Sequence, residues 1–182
     1  NHRLRGIPRM ASLEVILQHN SVTLDEETKS ELAARKNRYY GALLERISSD
    51  DLYPGVVPFL EELRERGVAL ALCSSSRNAQ TVLDKLDLAR FFGAVVTGHD
   101  IVHAKPDPEI FLKGAEGLGV PPFHCLVFED AESGVQAALA AGMKCIGVGP
   151  AEHLPSAAET IRDYAELDLD TMLDTGRKAS PP

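Results

Sequence analysis

Four short apolar runs, separated by stretches of helical periodicity, constrain this chain more than any other feature. Residues 68–73 read VALALC, 94–97 AVVT, 125–128 CLVF and 144–148 KCIGV. Such a run without polar alternation is what a parallel strand covered on both faces requires. Helical patterns at 78–88, 108–118 and 133–141 separate the runs, and one at 56–66 precedes the first. Gly67, Gly119 and Gly142 stand where three of those helices stop. Strands alternating with helices of about ten residues are βαβ units, so the expected class is α/β with a parallel sheet.

Residues 1–47 have a different texture and read as helices only. Leu13, Ile16 and Leu17 recur at helical spacing within 11–19. A longer helix is expected over 25–47, with Thr23 and Glu26 as a capping box. Leu32, Ala33, Tyr39, Tyr40, Leu43, Leu44 and Ile47 would form its buried face.

Charge and cysteine content exclude several functions. The 19 Lys+Arg against 27 Asp+Glu leave a net charge of −8. An acidic chain without a basic run is a poor binder of nucleic acid or of anionic membranes. No stretch approaches the roughly 18 apolar residues of a membrane span, and the first residues lack a signal-peptide core. Cys73, Cys125 and Cys145 lie in or beside apolar runs with no CxxC spacing, as buried free thiols of a cytoplasmic protein would. Any anion must therefore be held locally, by a few placed cations and N–H groups.

Ligands of open parallel sheets bind beyond the carboxyl ends of the strands. After the first run come Ser74, Ser75, Ser76, Arg77 and Asn78, an arrangement that fits an anion cradle and equally a plain helix cap. After the second comes Lys105-Pro106-Asp107-Pro108, a rigid turn whose lysine could face either a ligand or solvent. After the third come Glu129 and Asp130, then Ser133 and Gly134. Two acids closing an apolar strand need a cation, and Mg²⁺ with its preference for oxygen ligands suits them; helix-capping acids are the alternative. Hydroxyls, a lysine and paired carboxylates at one sheet edge suit phosphoryl transfer.

The strand ending at Ser74, the Lys105-Pro106 turn and Glu129-Asp130 with Gly134 resemble the haloacid dehalogenase-like phosphotransferases. The front narrows this. Residues 4–9 (LRGIPR) with Ser12-Leu13, residues 34–37 (ARKN) and Tyr53-Pro54-Gly55 look like the cap of the β-phosphoglucomutase family. The resemblance implies a Rossmann-like parallel-sheet core over 48–182 and a partial helical cap over 1–47. It implies that Arg9, Ser12 and Lys36 hold the nontransferring phosphate of a sugar phosphate, with Gly6 and Ile7 near the sugar. Ser74, Ser75, Ser76, Arg77 and Asn78 would line the core side. Lys105 would contact the transferring phosphoryl group, and Glu129 and Asp130 would serve Mg²⁺.

One half of that machinery is not in these residues. The family nucleophile is the first Asp of an Asp-x-Asp-Gly segment on the first, central strand. The lone Asp-x-Asp here, Asp168-Leu169-Asp170, is followed by Thr171 and reads as the polar start of a helix. The chain is therefore expected to be an N-terminally shortened version of a longer protein, to lack its first strand and first cap helix, and to be inactive alone. For the complete protein the resemblance implies a monomeric enzyme interconverting β-glucose 1-phosphate and glucose 6-phosphate through an aspartyl phosphate. Two alternatives are a sugar-phosphate phosphatase and a noncatalytic domain that binds phosphosugars or a protein partner.

Overall fold

The computed structural model of the chain describes residues 9–164 and 167–170. Two helices come first, α1 (Arg9–His19) and α2 (Glu26–Leu44). Then follow α3 (Val56–Glu65), β1 (Ala71–Cys73), α4 (Ala79–Lys85), β2 (Ala94–Val96), α5 (Glu109–Leu118), β3 (Leu126–Glu129), α6 (Glu132–Ala140), β4 (Lys144–Val148) and β5 (Glu159–Ile161). The α/β class and the parallel strands are as expected. Gly67 and Gly119 take left-handed φ values of 72° and 66° where α3 and α5 end.

The strands form two parallel sheets, β1-β2 and β3-β4-β5. Ala71 pairs with Ala94, Leu126 with Lys144, and Ile146 with Glu159. Among the described residues the split falls between β1 and β3. The two sheets nevertheless share one interior. Val96, Ile110, Phe111, Val127, Val135 and Cys145 are packed in a single cluster with α5 and α6. On the other face Phe59 of α3 meets Phe128 of β3 edge-on at 5.4 Å and Tyr164 at 5.1 Å. Val68 and Leu70, before β1, pack into that same aromatic cluster.

The front helices differ from expectation in detail. Asp25, not Thr23, caps α2, accepting from Thr28 N at 2.7 Å. Its apolar stripe is mostly uncovered: Ala33 and Leu44 are buried, while Tyr39 is 68% and Leu43 60% exposed. Periodicity predicts a helix face but not a partner to cover it. Among the described residues no helix is long and apolar enough to cross a membrane.

The three cysteines are free. Burial pushes the Cys73 thiol up to about 11 and that of Cys145 to about 12. At pH 8 a thiol at about 11 is only roughly one-thousandth ionised, and the thiolate is the reactive form. Alkylation of Cys73 by iodoacetamide in the folded chain is therefore expected to be at least about tenfold slower than that of free cysteine. Equal rates, read by mass spectrometry of the labelled peptide, would contradict the burial.

Candidate active site

The chain turns sharply on leaving β1, and hydroxyls make the turn. Ser74 Oγ accepts from Ser76 N at 3.2 Å, and Ser76 Oγ accepts from Asn78 N at 3.1 Å. A hydroxyl that accepts keeps its own proton to donate, so both can present O–H groups to an anion. Ser75 Oγ is buried and has no hydrogen-bond partner among the described residues. Helix α4 has only seven residues, so an anion here would be held by the hydroxyls more than by a helix dipole.

The loop after β2 braces this turn. Asp100 Oδ2 accepts from Thr97 N and Thr97 Oγ1, each at 2.8 Å. Gly98 N donates to Ser76 O at 3.3 Å, and a Cβ on Gly98 would lie 2.3 Å from Ser75 O. That oxygen is backbone, so Gly98→Ala must displace the serine turn itself. We expect it to cost about 1–3 kcal/mol of stability, as overpacking does, and to weaken phosphate binding. Unchanged thermal unfolding and unchanged phosphate affinity would show that the turn tolerates the shift.

Lys105 is buried, unlike a solvent-facing turn lysine. It forms an ion pair with Glu129 in which the side chains are 5% and 7% exposed. Its Nζ also lies 3.5 Å from Cys73 O and 4.7 Å from the centre of the Phe111 ring. The ammonium thus spans the carboxyl ends of β1 and β3. Glu129 Oε2 accepts from Ala131 N at 3.0 Å, so both carboxylate oxygens are engaged. A Cβ on Gly134 would fall 2.1 Å from Glu129 Cδ, so α6 can pass over the carboxylate only with glycine there.

These groups open into one cavity of about 950 Å³. From the core side it is lined by Ser74, Ser75, Ser76, Arg77, Asn78, Lys105, Glu129 and Asp130, and from α1 and α2 by Ser12 and Lys36. Every expected site residue whose side chain is described therefore meets in the same space. Gly6 and Ile7 lie outside the described residues, as does the side chain of Arg9. Asp170 pairs with Arg66 and does not line the cavity, in keeping with a polar helix start.

The sequence reading missed Tyr40, Asn37, Ser30 and Met10, which also line the cavity. Tyr40 sits on the stripe read as core, and the uncovered face of α2 was the missing signal. Asn37 accepts from Asn78 Nδ2 at 3.4 Å, and Glu45 pairs with Lys85 at 3.0 Å. These contacts hold α2 over the serine turn.

Glu129 and Asp130 are the carboxylates of this sheet edge that could hold a hard divalent cation. Asp130 is exposed and lines the cavity. Glu129 is engaged by Lys105 and Ala131 N and so also holds the lysine in place. Oxygen donors of this kind fit Mg²⁺.

Comparison with known proteins places this geometry. The profile of the haloacid dehalogenase-like hydrolases matches residues 2–142. The chain belongs to that family. It is 38% identical to a β-phosphoglucomutase of Bacillus subtilis, over 94% of this chain and 77% of the relative. It is 35% identical to a fructose-1-phosphate phosphatase of Escherichia coli, over 80% of this chain and 74% of the relative. The crystal structure of a β-phosphoglucomutase from Clostridium difficile superposes with a TM-score of 0.88 at 34% identity, covering 97% of this chain and 80% of that one. The haloacid dehalogenase-like family thus includes both mutase and phosphatase relatives of this chain.

Proposed function

We propose that these residues serve Mg²⁺-dependent phosphoryl transfer on a sugar phosphate in a cytoplasmic enzyme that interconverts β-glucose 1-phosphate and glucose 6-phosphate. One observation carries the reading: a single cavity is lined by Ser74, Lys105 and Asp130 at one side and by Ser12 and Lys36 of the α1–α2 cap at the other. A mutase must hold a phosphate at each end of its substrate, whereas hydrolysis needs only one grip. The β-phosphoglucomutase names of the Bacillus and Clostridium relatives favour the same choice.

The geometry supports the following roles. Ser74 and Ser76 donate hydroxyl protons to the oxygens of the transferring phosphoryl group. Lys105, oriented by Glu129, supplies positive charge where negative charge develops. Lys36 and Ser12 anchor the distal phosphate, so that the sugar bisphosphate can be regripped in the opposite sense. Asp130 would hold Mg²⁺, whose chemistry there would be to offset charge on the phosphoryl oxygens. The carboxylate nucleophile is not among these residues: the sequence has no Asp-x-Asp-Gly. The proposed reaction therefore belongs to a polypeptide that brings such a segment to the cavity.

A phosphatase of the same fold is the second reading, favoured by the E. coli relative and by a phosphorylated-carbohydrate phosphatase of Thermotoga maritima, 34% identical over 80% of this chain and 66% of the relative. A form carrying the Asp-x-Asp-Gly segment, given β-glucose 1-phosphate, Mg²⁺ and a trace of the bisphosphate, separates the two. Accumulation of glucose 6-phosphate is the expected result, and release of inorganic phosphate in its place overturns the mutase reading. The present chain alone is expected to give neither product.

A further inference from the structure

The segment that carries Lys105 into the cavity is bracketed by three metal-ligating side chains. His103 lies before it, and Asp107 and Glu109 after it; one ligand atom from each lies within 4.8 Å of the other two. None of the three lines the substrate cavity. His103 Nδ1 and Glu109 Oε2 stand 3.2 Å apart. That is a hydrogen-bonded imidazole–carboxylate pair, and its separation is close to the roughly 3.4 Å between two donors of one tetrahedral zinc ion.

The backbone fixes the acids in place. Glu109 Oε2 accepts from His103 N at 2.7 Å and Val102 N at 3.0 Å, which draws the carboxylate back onto the loop that carries the imidazole. Lys113 pairs with the other oxygen, Oε1, at 3.1 Å. Asp107 Oδ1 accepts from Glu109 N at 2.9 Å, and its second oxygen takes no hydrogen bond among the described residues. The imidazole is 68% exposed, so an ion reaches it from solvent without any opening of the core.

We propose that His103, Asp107 and Glu109 form a second cation site, for a first-row divalent transition ion such as Zn²⁺, outside the substrate cavity. The donor set decides the ion class. One imidazole nitrogen with two carboxylate oxygens suits zinc and its neighbours, whereas Mg²⁺ takes oxygens and retains water. The ion replaces the present imidazole–carboxylate contact and ties both flanks of the Lys105 segment to one point. This site stands independently of the reaction assigned to the cavity.

Calorimetric titration of the full chain with ZnCl₂ at neutral pH, in excess Mg²⁺, tests it. One saturable Zn²⁺ per chain is expected. His103→Ala and Glu109→Gln should each weaken it at least about tenfold, while Asp130→Asn leaves it in place. His103 is a surface residue, so its removal does not threaten the fold, and circular dichroism checks that Glu109→Gln remains folded. Absence of zinc binding, an undiminished affinity in His103→Ala, or a loss that follows Asp130→Asn instead overturns the site.

Discussion

Glu129→Ala is expected to lower the free energy of unfolding by about 3–5 kcal/mol, because it leaves the Lys105 ammonium buried without its counter-charge. The pair is almost fully removed from solvent, and among the described residues the other contacts of Nζ are the Cys73 carbonyl oxygen at 3.5 Å and the Phe111 ring. Neither neutralises a full charge. Lys105→Met strands the carboxylate in the same way, with Ala131 N its one remaining donor among the described residues. The double substitution Lys105→Met with Glu129→Leu should regain most of the loss, since a buried pair replaced by apolar groups of similar size is often near neutral. Gly134→Ala should resemble the single charge deletions without removing any charge, because its methyl must push the carboxylate off the lysine. Urea unfolding of the four variants measures all of this. Single-variant losses below about 1 kcal/mol would mean that water reaches the pair.

The second large effect is expected at Lys36. In a form that turns over, Lys36→Ala should cut glucose 6-phosphate formation by about 10–100-fold, the equivalent of one charge-assisted hydrogen bond of about 1.5–3 kcal/mol. Hydrolysis of a small phosphate monoester, which cannot reach α2 and the serine turn at once, should change little. The split between the two assays is the diagnostic quantity. A parallel fall in both would assign Lys36 to general substrate attraction instead of the distal grip.

Much of this was legible before any coordinates, for identifiable reasons. A strand covered on both faces is apolar where it is buried, so the run at 145–148 marked β4, which spans Lys144–Val148 with the lysine exposed at its start. Strand β5, Glu159–Ile161, was missed because an edge strand of three residues paired on one side carries no such run. Lys105 shows the limit for the site. A lone lysine in a turn looks solvated, and its partner lies 24 positions away across the fold. The acids after β3 were read as a pair for Mg²⁺, and sequence could not tell that Glu129 would meet Lys105. Likewise the period of α2 was clear, while the exposure of Tyr39 and Leu43 and the turn of Tyr40 toward the cavity depend on what packs against the helix.

The central claim is that one cavity grips anions from two sides. Calorimetric titration of the chain with glucose 1,6-bisphosphate and, separately, with inorganic phosphate, both with Mg²⁺, tests it most directly. The account predicts that the bisphosphate binds at least about tenfold more tightly, that Lys36→Ala abolishes this advantage, and that Ser74→Ala weakens both ligands. Equal affinities for the two ligands, or an advantage that survives Lys36→Ala, would contradict it.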